Sequence, residues 1–142
     1  KIVWNQHKNE SSITIYMDKL SQIHTCYQSS ENYPDLAKKL SQIGITSYTV
    51  EVASGSTLYR FPEGENVFHS EKATAITIPT EFNKEATIIA IRKSQNKEID
   101  YPMFMEEIAA AGVRFYEATL TGNRKRVTYY GMNGNYEEEI PH

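Results

Sequence analysis

Few residues in this chain have the type and spacing that chemistry needs. His24 and Cys26 stand two apart in a stretch that reads as helix. That spacing turns their side chains about 200° apart around the axis, so they cannot share a metal ion or act as a thiol–imidazole pair. His7, His69 and His142 are scattered. No metal or cofactor is therefore expected. No Gly-x-Ser-x-Gly elbow exists, and nothing around Cys26 resembles a cysteine-protease signature. Cys26 reads as a small, partly buried apolar residue.

The adjacent carboxylates Glu106-Glu107 and Glu137-Glu138-Glu139 form no acid–base dyad, because neighbours on a helix or strand point apart. Gly131-Met132-Asn133-Gly134 opens no helix, so it reads as a hairpin turn rather than a phosphate loop. Arg124-Lys125-Arg126 is the one local basic patch and lies near Tyr129 and Tyr130, a pairing that can hold single-stranded nucleic acid by stacking. On a strand, though, Arg124, Arg126, Thr128 and Tyr130 share one face, while Lys125, Val127 and Tyr129 take the other. Pairing with Glu137 to Glu139 across the hairpin would offset the charge, so nucleic-acid binding is not expected. The last signal is tyrosine, with ten residues beside five phenylalanines and one tryptophan. Tyrosine packs its ring and satisfies its hydroxyl at a core rim, or lines a groove for a ligand.

The elements that position these residues come from an internal repeat. Asn32-Tyr33-Pro34-Asp35-Leu36 returns 68 residues later as Asp100-Tyr101-Pro102-Met103-Phe104. The same spacing relates Leu40 to Ile108, Gly44 to Gly112, Ile45 to Val113, Tyr48 to Tyr116, Val50 to Ala118 and Val52 to Leu120. Upstream, Leu20 and Ile23 fall on Ile88 and Ile91; downstream, two residues later in the second copy, Tyr59 meets Tyr129. Leu36, Leu40 and Ile43, like Phe104, Ile108 and Ala111, form the apolar stripe of a short helix. Asn32 and Asp100 cap it, with proline in the first turn, and glycine ends it. Tyr48, Val50 and Val52 then alternate with Thr49 and Glu51, as Tyr116, Ala118 and Leu120 do with Glu117 and Thr119, which is the pattern of a half-buried antiparallel strand. Further strands are expected at Thr57 to Phe61, Asn66 to Phe68, Arg124 to Tyr130 and Asn135 to Glu139. An earlier helix is expected at Met17 to Tyr27 and again at Phe82 to Ser94. Ala73 to Ile78 joins the copies and alternates as an additional strand would. The expected fold is α+β: a helix-helix-strand-strand-strand unit used twice, with antiparallel sheets and approximate two-fold pseudo-symmetry.

Length and composition fit that reading. The chain has 142 residues, 39% apolar and 23% charged, enough for one core. A net charge of −3 gives no global attraction to nucleic acid or anionic lipid, and no apolar run reaches the length of a membrane span. A single cysteine excludes a disulfide framework and, with no export signal in view, fits a reducing cytoplasm. Residues Asn5 to Ser12 are polar and aperiodic. Residues 1–16 therefore read as an N-terminal extension, with Met17 as an alternative start, and 17–142 as one domain of two repeats, about 17–69 and 82–140.

Asp/Asn-Tyr-Pro before a helix, Gly-Ile or Gly-Val followed by tyrosine, and the closing Thr128-Tyr129-Tyr130 with Asn133-Gly134 together resemble the YdfO-like (YbcV-type) bacterial and prophage proteins of unknown function. Some members carry the label phage envelope protein. The resemblance covers about Met17 to Pro141. It implies a duplicated α+β fold and an intracellular bacterial or prophage setting, and it brings no catalytic residues.

Three functions compete. The first is a non-enzymatic accessory protein that associates with a protein partner or with itself. The second is a small-molecule binder or small enzyme with its site in the cleft between the repeats, where Tyr48, Tyr116, His69 and Glu117 are the candidates. The third is weak nucleic-acid binding through Arg124, Lys125 and Arg126.

Overall fold

The computed structural model describes residues 6–70 and 76–141, with side chains from residue 14 onward. Four helices and six strands follow one another as α1 (Gln6–Ser29), α2 (Tyr33–Gln42), β1 (Ser47–Glu51), β2 (Thr57–Arg60), β3 (Asn66–His69), α3 (Lys84–Gln95), α4 (Tyr101–Ala110), β4 (Phe115–Thr119), β5 (Arg126–Tyr130) and β6 (Asn135–Glu139). The α+β class and the repeated order of two helices and three strands are those expected. α1 begins well ahead of Met17, since neither glycine nor proline interrupts Gln6 to Met17 and a nucleated helix propagates cheaply. β5 begins only at Arg126, two residues later than the alternation suggested. The strand expected across Ala73 to Ile78 is not formed at 76–79, and the rest of that stretch lies outside the described residues.

Local chemistry builds both halves alike. Asn32 accepts a hydrogen bond from the Asp35 N–H at 2.9 Å, and Asp100 accepts one from the Met103 N–H at 3.0 Å. Each cap thus satisfies an N–H that the first helical turn leaves without a partner. At the other end, Gly44 (φ +108°) and Gly112 (φ +92°) turn the chain through the left-handed region. The N–H of Ile45 then reaches Leu40 O at 3.1 Å, and that of Val113 reaches Ile108 O at 2.9 Å. Ile45 and Val113 are buried at once, so each helix stop also starts the core of the next strand.

The six strands form one antiparallel sheet in the order β3-β2-β1-β4-β5-β6. The halves therefore join edge to edge through β1 and β4. Their register pairs Tyr48 with Ala118, Val50 with Tyr116 and Thr49 with Glu117. Thr49 and Glu117 are themselves 68 apart, so the register is the one that an approximate two-fold between the halves would give. Joining the sheets lets the helices of both halves pack on one face. There Tyr48, Val50, Tyr59, Val67, Tyr116, Ala118, Val127 and Tyr129 meet Ile23, Leu40, Phe104 and Ile108 in a single buried cluster. Neither three-stranded half could bury as much alone. Among the described residues the opposite face carries no helix and is crossed by Arg60, Glu117, Thr128 and Glu137, as antiparallel sheets permit.

Candidate functional site

A cluster of tyrosines lies on both sides of the seam between β1 and β4. β1 and β4 supply Tyr48 and Tyr116. Beside them on β2 and β5 stand Tyr59 and Tyr129, with ring centroids 5.6 Å from Tyr48 and 5.3 Å from Tyr116. Tyr33 and Tyr101 open α2 and α4, so the helix caps also fix where these rings project. Tyr27 descends from α1. The hydroxyls of Tyr33 and Tyr48 lie 2.6 Å apart, those of Tyr101 and Tyr116 3.0 Å, and those of Tyr27 and Tyr59 3.1 Å.

Burial pushes the phenols of Tyr48 and Tyr116 well above the usual tyrosine value, and those of Tyr33 and Tyr129 up as well. Tyr27 and Tyr101 leave about half their surface to solvent, yet their hydroxyls turn inward and are also raised by loss of solvation. These six phenols keep their protons at ordinary pH and donate and accept hydrogen bonds as neutral groups.

The four residues singled out for a cleft site do not share one surface. Tyr48 and Tyr116 sit together in the cluster, at 2% and 7% exposure, each held by a helical tyrosine. His69 ends β3 at the margin of the same face, where its ring meets the His24 ring edge-on at 5.9 Å. Glu117 points to the opposite face and pairs with Arg60 at 3.5 Å. The alternation of β4 alone separates Glu117 from Tyr116. Sequence reasoning missed Tyr27, Tyr59 and Tyr129 as members of the cluster. A signal was present: Leu20, Ile23 and Tyr27 follow i, i+3, i+7, and Tyr59 and Tyr129 are repeat equivalents.

The two arginines of the basic run pair with the neighbouring strand, while Lys125 is exposed. Arg124 bonds Glu137 and, at 3.0 Å, Glu139; the Arg126 guanidinium lies 3.7 Å from Glu137. Arg124 accordingly holds the Glu137 carboxyl below the usual carboxylate range. Val127 and Tyr129 enter the core as the alternation required. Cys26 is buried between α1 and α2, and burial raises its thiol. Among the described residues, no group of three or more His, Cys, Asp or Glu side chains could hold a metal ion. No helix among them is long and apolar enough to cross a membrane.

No curated protein matches the chain in sequence. A family model, described as a protein of unknown function (DUF1398), matches residues 21–137, a span that holds β1 to β5, the start of β6 and every tyrosine of the cluster. The chain belongs to that family of proteins of unknown function.

Proposed function

We propose that the protein is a non-enzymatic interaction protein that joins a second copy of itself through the β3 end of the sheet. The observation that carries this reading is the contrast between the two terminal strands. β6 ends the sheet with Glu137, Glu138 and Glu139, charges that oppose pairing with another strand. β3, its counterpart, carries no Asp, Glu, Lys or Arg, and its Phe68 is 57% exposed beside the half-buried Leu58. A strand of this kind can pair with an identical strand about a two-fold axis and cover Phe68 in the process. The tyrosine cluster supports the same reading, because its hydroxyls are largely spent on one another rather than aimed at a substrate. So does the pairing of Arg124 and Arg126 with glutamates, which lowers the pull on nucleic acid. The resemblance to the YdfO-like proteins adds an accessory role in a bacterial or prophage cytoplasm.

Sedimentation equilibrium over a range of concentrations tests the proposal. The wild type is expected to form dimers that Phe68→Lys abolishes while its melting temperature stays within a few degrees. A wild type that stays monomeric at every concentration refutes it, as does a dimer that Phe68→Lys leaves intact.

A further inference from the structure

The two halves set different phenylalanines against equivalent glycines. Tyr59 matches Tyr129 in the repeat, so Phe61 matches Gly131. In the first half the Phe61 ring packs on Gly44, with its Cδ2 atom 3.5 Å from where a Cβ on that glycine would lie. In the second half the ring comes instead from the segment that leads into α3. There Phe82 lies against Gly112, the counterpart of Gly44, and against Gly131 and Gly134 of the β5–β6 turn. A Cβ on Gly131 would stand 2.7 Å from Phe82 Cβ, and one on Gly134 3.0 Å from Phe82 Cδ2, so this bed depends on glycine. Two hydrogen bonds hold the segment down. The Asn83 N–H reaches Ala111 O at 2.7 Å, and the Phe82 N–H reaches the side-chain oxygen of Asn133 at 3.0 Å.

Asn133-Gly134 is the one Asn-Gly step in the chain. It lies in the β5–β6 turn, which a bond from the Gly131 N–H to Gly134 O closes at 2.8 Å, and Asn133 is exposed. An asparagine loses its amide nitrogen when the backbone nitrogen of the next residue attacks the side-chain carbonyl carbon. Three features favour that attack here. Gly134 has no side chain to shield its nitrogen. Its N–H makes no hydrogen bond among the described residues, whereas that of Gly64, at the same place in the first half, bonds Phe61 O at 3.2 Å. The Phe82 N–H donates to the very oxygen on which negative charge gathers as the carbon is attacked, as a donor of an oxyanion hole does.

We propose that Asn133 is a self-modification site: in the folded chain it deamidates to aspartate and isoaspartate, and the isoaspartate product releases the Phe82 segment. The Gly134 nitrogen bonds to Asn133 Cγ and gives its proton to water. The Cγ–Nδ2 bond breaks, and the nitrogen leaves as ammonia with a proton taken from water. Water then opens the resulting succinimide at either of its carbonyls. Nothing is oxidised or reduced in these steps. In the isoaspartate product Cγ and its oxygen belong to the main chain, and the turn is longer by one carbon. The oxygen that holds Phe82 therefore moves, and the glycine bed under the ring opens. Neither β3 nor Phe68 takes part, so the proposal stands or falls separately from dimerisation.

The full chain is incubated at mildly alkaline pH, folded and in urea, and Asn133 is followed by peptide mass mapping, with isoaspartate read by enzymatic methylation. Folding alone, by fixing the backbone, would slow the attack. The expected result is that Asn133 reacts in the folded chain at least as fast as in urea; a slower reaction in the folded chain overturns the proposal. The isoaspartate form, separated by ion exchange, is expected to show shifted amide signals for Phe82, Asn83 and Gly131 to Gly134 while that of Phe68 stays in place. Unchanged signals for Phe82 and Asn83 overturn the release. Asn133→Gln keeps an amide but sets its carbonyl carbon one bond farther from the Gly134 nitrogen. It is expected to slow the loss of ammonia at least tenfold and to keep the Phe82 signal unchanged through the same incubation. A Phe82 signal that drifts equally in this variant overturns the link between the two events.

Discussion

The two equivalent hydroxyl pairs permit an internal comparison, because the buried strand tyrosine can be removed in one and stranded in the other. Tyr48 is 2% exposed and its bond to the half-buried Tyr33 is 2.6 Å long; Tyr101 is 55% exposed and bonds Tyr116 at 3.0 Å. A hydrogen bond contributes about 1 kcal/mol net, and stranding a buried partner costs about 1–3 kcal/mol. Tyr48→Phe removes the deeper hydroxyl and leaves that of Tyr33 facing an apolar ring, so a loss of about 1.5–2 kcal/mol is expected. Tyr101→Phe strands the hydroxyl of Tyr116, which is only 7% exposed, so a loss of the same order is expected. In a chain of this size, 1 kcal/mol moves the melting temperature by roughly 3–5 °C, which makes both losses readable. The double variant Tyr33→Phe, Tyr48→Phe strands nothing, and it should recover about 1 kcal/mol relative to the sum of the single changes. Urea unfolding of the wild type, both single variants and the double variant closes the cycle. Additivity to within about 0.3 kcal/mol would show that the hydroxyls at the Tyr33–Tyr48 pair do not depend on one another, and the reasoning would fail.

Two further outcomes follow from the same geometry. A Cβ on Gly112, at φ +92°, would stand 2.3 Å from Glu81 O, whereas one on Gly55, at φ +74°, would meet nothing within 4 Å. Gly55→Ala should therefore cost only backbone strain of about 1 kcal/mol, and Gly112→Ala at least twice as much; equal midpoints in denaturant would contradict this. The buried phenols also set an alkaline limit. Tyr48, Tyr116 and Tyr129 keep their protons in the folded state beyond the unfolded value of about 10, so the unfolded chain binds fewer protons once pH exceeds that value. Stability is then fully present below about pH 10 and falls above it, by about 4 kcal/mol per pH unit for three such groups. Tyrosinate absorbance and circular dichroism should change together in one cooperative step; tyrosines that ionise while the far-ultraviolet signal persists would refute the burial argument.

Sequence alone determined what depends on near neighbours. Asn32 and Asp100 cap, Gly44 and Gly112 stop, and Tyr48-Thr49-Val50 alternates, because each needs only backbone geometry within a few residues. The spacing of 68 likewise carries both copies of that pattern. The tertiary structure decided how the copies meet. Antiparallel pairing of β1 with β4 about Thr49 and Glu117 turns two short meanders into one sheet, and nothing local specifies which strand edges will join. That pairing also settled the site. It brought Tyr48 and Tyr116 together and put Glu117 on the other face, a consequence of the two-residue period once one face is covered by helices. The separate fates of Tyr59 and Tyr129 were hidden for the same reason. Their positions are equivalent in the repeat, and only the bond of Tyr27 to one, and the stacking of Tyr136 on the other, distinguishes them.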